Sequence, residues 1–147
     1  MHKHAGFTLI ELMVVIVIIA VLAGIGYPSY SDYIRRGKIA EAISALADTR
    51  AKMEQFFLDN RTYVGADAGN MPCNGAVLSA GKKQFTYTCT NLGVGTYTVT
   101  AAGVGTEGMG AFAYTINEQN VRGSTVTGLS GWSSNATCWV TKKGGVC

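Results

Sequence analysis

Four cysteines are the reactive side chains whose number and spacing say most about the chemistry of this chain. Cys73, Cys89, Cys138 and Cys147 all follow its apolar N-terminal part. No two of them have the CxxC spacing of a zinc site or a redox motif. An even count without that spacing predicts two disulfides and an oxidising compartment. Proximity in the sequence favours the pairs Cys73–Cys89 and Cys138–Cys147, although three pairings are formally open.

Signals for catalysis or cofactor binding are weak. Residues 103–108 match GxGxxG and follow a strand-like run, as a dinucleotide-binding loop does. The residues from Met109 onward have a strand pattern, so a hairpin loop is the better interpretation. The carboxylates are scattered, and both histidines, His2 and His4, lie at the extreme N-terminus. We therefore expect no catalytic residues, no metal site and no cofactor.

An acidic residue lies beside the most apolar part of the chain. Glu11 directly precedes 20 uncharged residues, 12–31. At ~1.5 Å per residue they would form a helix of ~30 Å, the thickness of one bilayer core. A carboxylate costs about 2.5–3.5 kcal/mol at the centre of a membrane helix, and less near its end, so Glu11 needs a partner. The segment disfavours a purely cytosolic enzyme, and the apolar content excludes intrinsic disorder.

Two general explanations of this segment are a cleaved secretory signal and a permanent anchor. Lys3 followed by an apolar run fits a signal peptide. For an anchor the positive-inside rule is ambiguous, because Lys3 precedes the run while Arg35, Arg36 and Lys38 follow it.

A third explanation rests on residues 6–11, Gly-Phe-Thr-Leu-Ile-Glu. This segment resembles type IV prepilins, in which a short basic leader ends in Gly, followed by Phe and an apolar helix with Glu at its fifth position. The resemblance implies cleavage between Gly6 and Phe7 by a prepilin peptidase and N-methylation of Phe7. It also implies that Glu11 pairs with the N-terminal amine of a neighbouring subunit. Pro28 falls at the family's usual proline position, where the helix would bend.

The resemblance extends to function and location. It implies a structural subunit, a major or minor pilin, held in the inner membrane as a single-pass precursor. The inner-membrane assembly machinery would then transfer it into an extracellular pilus with other pilin subunits. Twitching motility, adhesion and DNA uptake are roles implied by the family. The leader would remove His2, Lys3 and His4, a cluster that could otherwise bind a metal, and with them any histidine general base.

The C-terminal segment 138–147, CWVTKKGGVC, also resembles the disulfide-bounded end of type IV pilins. Other interpretations remain open: a minor pilin that acts as a DNA-uptake receptor, a pseudopilin of a type II secretion system, and an unrelated secreted enzyme. The terminal cysteine loop argues against the pseudopilin.

Contact with DNA is the finer hypothesis that the basic residues suggest. Twelve Lys and Arg against nine Asp and Glu give a net charge of +3, without the density of a nucleic-acid-binding arm. A basic surface with nearby aromatics, Trp132 and Trp139, could nevertheless bind DNA. Its residues would be Lys82, Lys83, Arg122, Lys142 and Lys143. A solvated loop surface is the alternative that we favour from sequence.

A long helix and the loop that follows it are the first predicted elements that position these residues. Apolar residues continue at helical spacing beyond the apolar segment, at Ile39, Ile43, Leu46, Met53 and Phe57. We expect one helix over residues 7–60, apolar all round in 7–31 and amphipathic in 32–60. Residues 61–84, rich in Gly and Asn, indicate a long loop held by Cys73.

Alternating runs predict strands at 85–89, 96–101 and 111–117, with a shorter fourth at 138–141. The predicted fold is α+β: the type IV pilin fold, one long helix packed on an antiparallel sheet of about four strands. The expected parts are a leader at 1–6, the helix at 7–60, and a loop and sheet domain at 61–147.

Overall fold

The computed structural model describes residues 6–147, except for the side chains at positions 25 and 27–29. The chain forms two compact units, one ending at Arg35 and the other comprising Arg36–Cys147. Most of the expected leader, with His2, Lys3 and His4, lies outside the described residues.

Helix α1 comprises Leu9–Asn60, 52 residues in length. It begins two residues later than predicted, because the carbonyl and side chain of Thr8 receive the first hydrogen bonds of the helix. It ends before Arg61, whose φ of 59° is left-handed and does not continue a right-handed helix. The side chain of Pro28 lies outside the described part of the structure, and the bend expected there stays a prediction.

Four antiparallel strands form one sheet in the order β1-β2-β3-β4. Their bounds are β1 Phe85–Thr90, β2 Thr98–Gly103, β3 Phe112–Asn117 and β4 Arg122–Val126. Along β1 and β3 alternate side chains are buried, as the period of two predicts. One long helix followed by this meander confirms the α+β fold class.

Two of the predicted strands differ in position. β2 begins at Thr98 because Thr96 belongs to the preceding turn, where its carbonyl accepts a bond from Gly93 N. The prediction of a fourth strand at 138–141 is wrong: within the described residues that segment is irregular, and the fourth strand is β4.

The predicted loop contains a short helix, α2, at Gly75–Ser79. Asn74 caps it, accepting bonds from Ala76 N and Val77 N. The Ser79 hydroxyl accepts a bond from Tyr87 N of β1 at 3.2 Å, and a disulfide joins Cys73 to Cys89. α2 therefore covers the outer edge of β1, which would otherwise offer unpaired backbone groups.

The core of the second unit lies between one face of the sheet and one stripe of α1. From the helix it contains Ile39, Ala42, Leu46 and Met53, all fully buried. From the strands it contains Phe85, Tyr87, Val99, Ala101, Phe112, Tyr114 and Ile116. The amphipathic half of the helix thus buries its stripe as the sequence predicts.

The connection between β2 and β3 is a tight loop with a 3₁₀ turn at Gly105–Glu107, which confirms that the GxGxxG match is a hairpin loop. At Gly103 a Cβ atom would lie 1.9 Å from the Met109 carbonyl oxygen. Only glycine fits there, because the loop backbone folds back against the end of β2.

Candidate functional site

The first unit has an uncovered apolar surface. Phe7 precedes α1 and is 81% exposed, and the large apolar side chains that follow it are also exposed: Leu9, Ile10, Leu12, Met13, Val14, Val15, Ile16, Val17, Ile18, Ile19, Val21 and Leu22. Glu11 lies in the first turn of α1, where Phe7, Leu12 and Val15 line a small cavity with it. An apolar surface of this extent is typical of a site that other molecules cover.

Among the residues that the structure describes, no helix combines the length and the apolar character needed to cross a bilayer.

The second unit anchors its C-terminal segment to β4 through one buried serine. The backbone N–H and carbonyl of Ser124 bond to Asn135 at 2.7 and 2.9 Å. Its hydroxyl donates to the Cys138 carbonyl at 2.7 Å and accepts from Val140 N at 2.8 Å. Ser124 is 5% exposed, so these bonds satisfy its polar groups away from water.

A tyrosine from the neighbouring strand adds a second anchor. The Tyr114 hydroxyl donates to the Val140 carbonyl at 2.9 Å, and its side chain is fully buried. Burial raises the pKa of Tyr114 well above its ordinary value, so the hydroxyl stays a donor in alkaline solution that would ionise an exposed tyrosine. The disulfide Cys138–Cys147 closes the segment into a loop, in agreement with the pairing expected from proximity.

Arg122 and Trp139 form a stacked pair at the start of β4. The Arg122 guanidinium carbon lies 4.7 Å from the centre of the indole ring. The indole N–H donates to the Thr115 carbonyl at 2.9 Å, and Arg122 Nε donates to Asn120 Oδ1 at 3.4 Å. Trp139 is 7% exposed whereas Arg122 is exposed, so a fixed ring holds a guanidinium that faces solvent.

Lys142 and Lys143 lie in the C-terminal disulfide loop, and both are exposed. Gly144 N donates to the Gly131 carbonyl at 2.8 Å, which holds this loop against residues 129–132 beyond β4. Arg122 thus lies at the start of β4, whereas Lys142 and Lys143 lie in a loop held against residues that follow the other end of β4. We call these three residues the β4-side basic cluster.

Lys82 and Lys83 lie elsewhere. They precede β1, at the opposite edge of the sheet and at the end where Phe85 pairs with Gly103. Arg122 lies at the other end of β4, beyond the Ile116 pair. Three strand spacings and four residues of rise separate the two corners by about 20 Å.

Lys82 also has surroundings that differ from those of the cluster. The Lys82 ammonium donates to the Leu78 carbonyl at 2.6 Å and lies 5.3 Å from the centre of the Tyr87 ring. It lines a cavity of about 430 Å³ with Glu41, Asp48 and Lys52, where Lys52 and Asp48 form an ion pair at 2.8 Å. The order and register of the strands therefore place Lys82 and Lys83 at a different corner of the sheet from Arg122.

Metal-binding chemistry finds no support in the described part of the chain, where no group of three His, Cys, Asp or Glu side chains could hold an ion. The residues that sequence analysis missed are Ser124 and Tyr114, which anchor the C-terminal loop. Neither carries a sequence signal, because a serine in a strand and a tyrosine in an alternating run are ordinary.

An apolar helix half without a cover is joined in sequence to a helix-on-sheet domain with a terminal disulfide loop, which is the architecture that the resemblance to type IV pilins implies. Residues 28–111 match the family described as "Type IV minor pilin ComP, DNA uptake sequence receptor". Residues 1–27 match the "Prokaryotic N-terminal methylation motif". The first match covers more than half of the chain, so the chain belongs to this type IV pilin family. This is a structural family rather than an enzyme family.

Curated relatives agree with this membership. The chain is 40% identical over 70 residues to "Prepilin peptidase-dependent protein D" of Escherichia coli K12, covering 48% of each chain. It is 32% identical over 93 residues to "Fimbrial protein EcpC" of Eikenella corrodens, covering 58% of this chain and 61% of that one. The aligned part thus spans only about half to three fifths of these relatives.

A solved structure supports the fold. The crystal structure of the non-core minor pilin PilV of Neisseria meningitidis aligns with a TM-score of 0.56 at 18% identity. The alignment covers 67% of this chain and 94% of that one.

Proposed function

We propose that this chain is a minor pilin that is made as a precursor and assembled into a type IV pilus through its apolar helix. The observation that carries the proposal is the uncovered apolar half of α1, whose exposed side chains from Phe7 to Leu22 lie within the residues that match the methylation motif. Fully burying one large apolar side chain contributes about 1.5–3 kcal/mol, so a dozen of them provide a strong drive for association. Before assembly, the inner membrane would cover the same surface.

Processing would occur at the junction of leader and helix. A prepilin peptidase would cleave between Gly6 and Phe7 and methylate the new amine of Phe7. Phe7 lies outside the helix and is exposed, so its amine is not used in helical hydrogen bonds. The inner-membrane assembly machinery would then extract the subunit into an extracellular filament with other pilins.

Glu11 would set the register of assembly. A carboxylate that becomes buried among apolar helices needs a partner, and the amine of Phe7 in a neighbouring subunit can supply it. Such a pair contributes specificity of alignment more than net stability.

Mass spectrometry of the mature N-terminus tests processing directly. The proposal expects a chain that starts at N-methylated Phe7. A start near Tyr27 would indicate a signal peptide, and an intact Met1 would indicate an uncleaved anchor. Filaments purified from the cell surface should contain the chain, whereas confinement to a secretion complex would favour a pseudopilin.

A second proposed activity is binding of duplex DNA by the β4-side basic cluster. The arrangement that favours it is the Arg122 guanidinium stacked on Trp139, with Lys142 and Lys143 exposed in the C-terminal disulfide loop. A pre-oriented guanidinium suits phosphate or base recognition, and the matched family's description names a DNA receptor. Roles in adhesion and twitching motility rest on the family alone.

Binding would be measured with the full chain in detergent micelles over a range of salt concentrations. Wild type should bind duplex DNA with an affinity that falls steeply with salt. Replacing all three cluster residues by alanine should reduce the slope of log K against log salt by about 0.9 for each lost phosphate contact. Lys82→Ala with Lys83→Ala is the matched control and should change little. Absence of binding by wild type at low salt contradicts this activity.

A further inference from the structure

Thr8 occupies the position from which α1 starts. Its carbonyl accepts the first helical hydrogen bond, from Leu12 N at 3.2 Å. Its hydroxyl Oγ1 accepts a hydrogen bond from Glu11 N at 3.3 Å. Thr8 is therefore the N-cap of α1, and Thr8-Leu9-Ile10-Glu11 has the T-x-x-E pattern of a capping box.

We propose that Thr8 is a positioning residue for Glu11 in filament assembly. This inference rests on the proposed role of Glu11. The cap fixes the helix start at Leu9, which places Glu11 three residues after the cap and leaves Phe7 outside the helix. The carboxylate and the amine with which it would pair are thus held in a defined relation to the helix axis.

The position within the helix matters for a carboxylate that loses water. The first N–H groups of a helix have no intrahelical acceptor, and the helix dipole favours negative charge there. Glu11 lies in this first turn, so the helix dipole lowers, without removing, the cost of burying its charge among neighbouring subunits. A helix that started one turn later would remove Glu11 from that environment.

The cap has little to do with the stability of α1 as a whole. The helix continues for 52 residues, and its second half is fixed by the core of the domain. Loss of one cap frays only the first turn, which is the turn that contains Glu11. The effect of Thr8 should therefore appear in assembly and not in folding.

The test compares Thr8→Val, which keeps the shape of the side chain but loses the hydroxyl acceptor, with Thr8→Ser, which retains a hydroxyl acceptor. Both are made in the full chain in cells that build filaments. Thr8→Val should lower the amount of chain in filaments by at least about fivefold, the change that loss of one N-cap produces in an equilibrium. Thr8→Ser should assemble like wild type. Equal assembly of Thr8→Val and wild type overturns the inference, as does equal failure of both variants.

Two further measurements separate this inference from its premise. The mature N-terminus of Thr8→Val should still start at methylated Phe7; an uncleaved leader would assign the defect to processing and overturn the inference. Glu11→Gln is assayed in parallel. If Glu11→Gln assembles normally, the proposed role of Glu11 fails. If only Glu11→Gln is defective, the proposed role of Glu11 stands and the inference about Thr8 fails.

Discussion

The two halves of α1 have the same secondary structure but opposite relations to solvent. Side chains between Phe7 and Leu22 are largely exposed, whereas Ile39, Leu46 and Met53 are fully buried. The difference lies in whether another part of the same chain packs against each half. The second half meets a sheet whose inner face is apolar, and the first half has no such partner among the described residues of its unit.

This contrast separates folding from assembly. A core within one chain stabilises that chain, while an uncovered apolar surface stabilises only what binds to it. Substitutions in the second unit should therefore change unfolding, and substitutions in the first half of α1 should change assembly and leave the unfolding of the domain unaltered.

The largest effect is expected from opening a cavity in the core. Leu46→Ala should lower the free energy of unfolding by about 2–5 kcal/mol, because Leu46 is fully buried between helix and sheet. The matched control is Ile16→Ala, whose side chain is exposed in the same helix. Urea unfolding in detergent micelles, followed by near-ultraviolet circular dichroism, gives both values. Equal destabilisation by the two variants would remove the distinction between the halves.

Gly103→Ala should cost about 3 kcal/mol, because the added Cβ would overlap the Met109 carbonyl and the loop must move. Gly105→Ala, two residues away, meets no atom within 4 Å and should change little. The same unfolding measurement applies, and a tolerated Gly103→Ala would show that the β2–β3 loop is not held as described.

Alkaline pH should destabilise the second unit. Burial raises the pKa of Tyr87 to about 12 from its ordinary value of 10.0, with a smaller contribution from the charge of Glu41. The unfolded chain loses this proton near pH 10 while the folded chain keeps it, so this contribution to stability is full below pH 10. It is lost as pH rises to about 12, a change of about 2–3 kcal/mol. Tyr87→Phe should flatten the fall in the free energy of unfolding between these pH values. An unchanged pH profile in that variant would show that other groups cause the fall.

Tyr114→Phe should give the smallest effect. It removes the hydrogen bond to the Val140 carbonyl and keeps the ring, so the expected loss is about 0.5–1.5 kcal/mol. Amide hydrogen exchange should rise first in residues 138–147, the loop that this bond anchors. Faster exchange throughout the sheet instead would mean that Tyr114 supports the whole core.

Periodicity explains which parts of the fold the sequence predicts. The stripe of α1 and the alternation in β1 and β3 depend on local spacing, so their positions are close to those expected. β4 lacks that signal: its inward residue is the polar Ser124, which is stable there only because the Cys138 carbonyl and Val140 N satisfy its hydroxyl. Those partners come from 14 and 16 residues away and leave no local pattern.

Contacts between distant residues also explain why the strand predicted at 138–141 does not form. Trp139 and Val140 are apolar and buried, which resembles a strand, but Val140 bonds to the side chains of Ser124 and Tyr114. The distance between Lys82 and Arg122 likewise follows from the order and register of the strands. The spacing of residues along the sequence reveals neither the order nor the register of the strands.

The central claim is that the exposed half of α1 becomes buried against other subunits in a filament. A photo-crosslinking amino acid in place of Ile16, in filaments sheared from cells and free of membrane, tests it directly. The account predicts covalent products that join this chain to another pilin subunit through position 16. Filaments that contain the chain but yield only uncrosslinked monomer after illumination would contradict it.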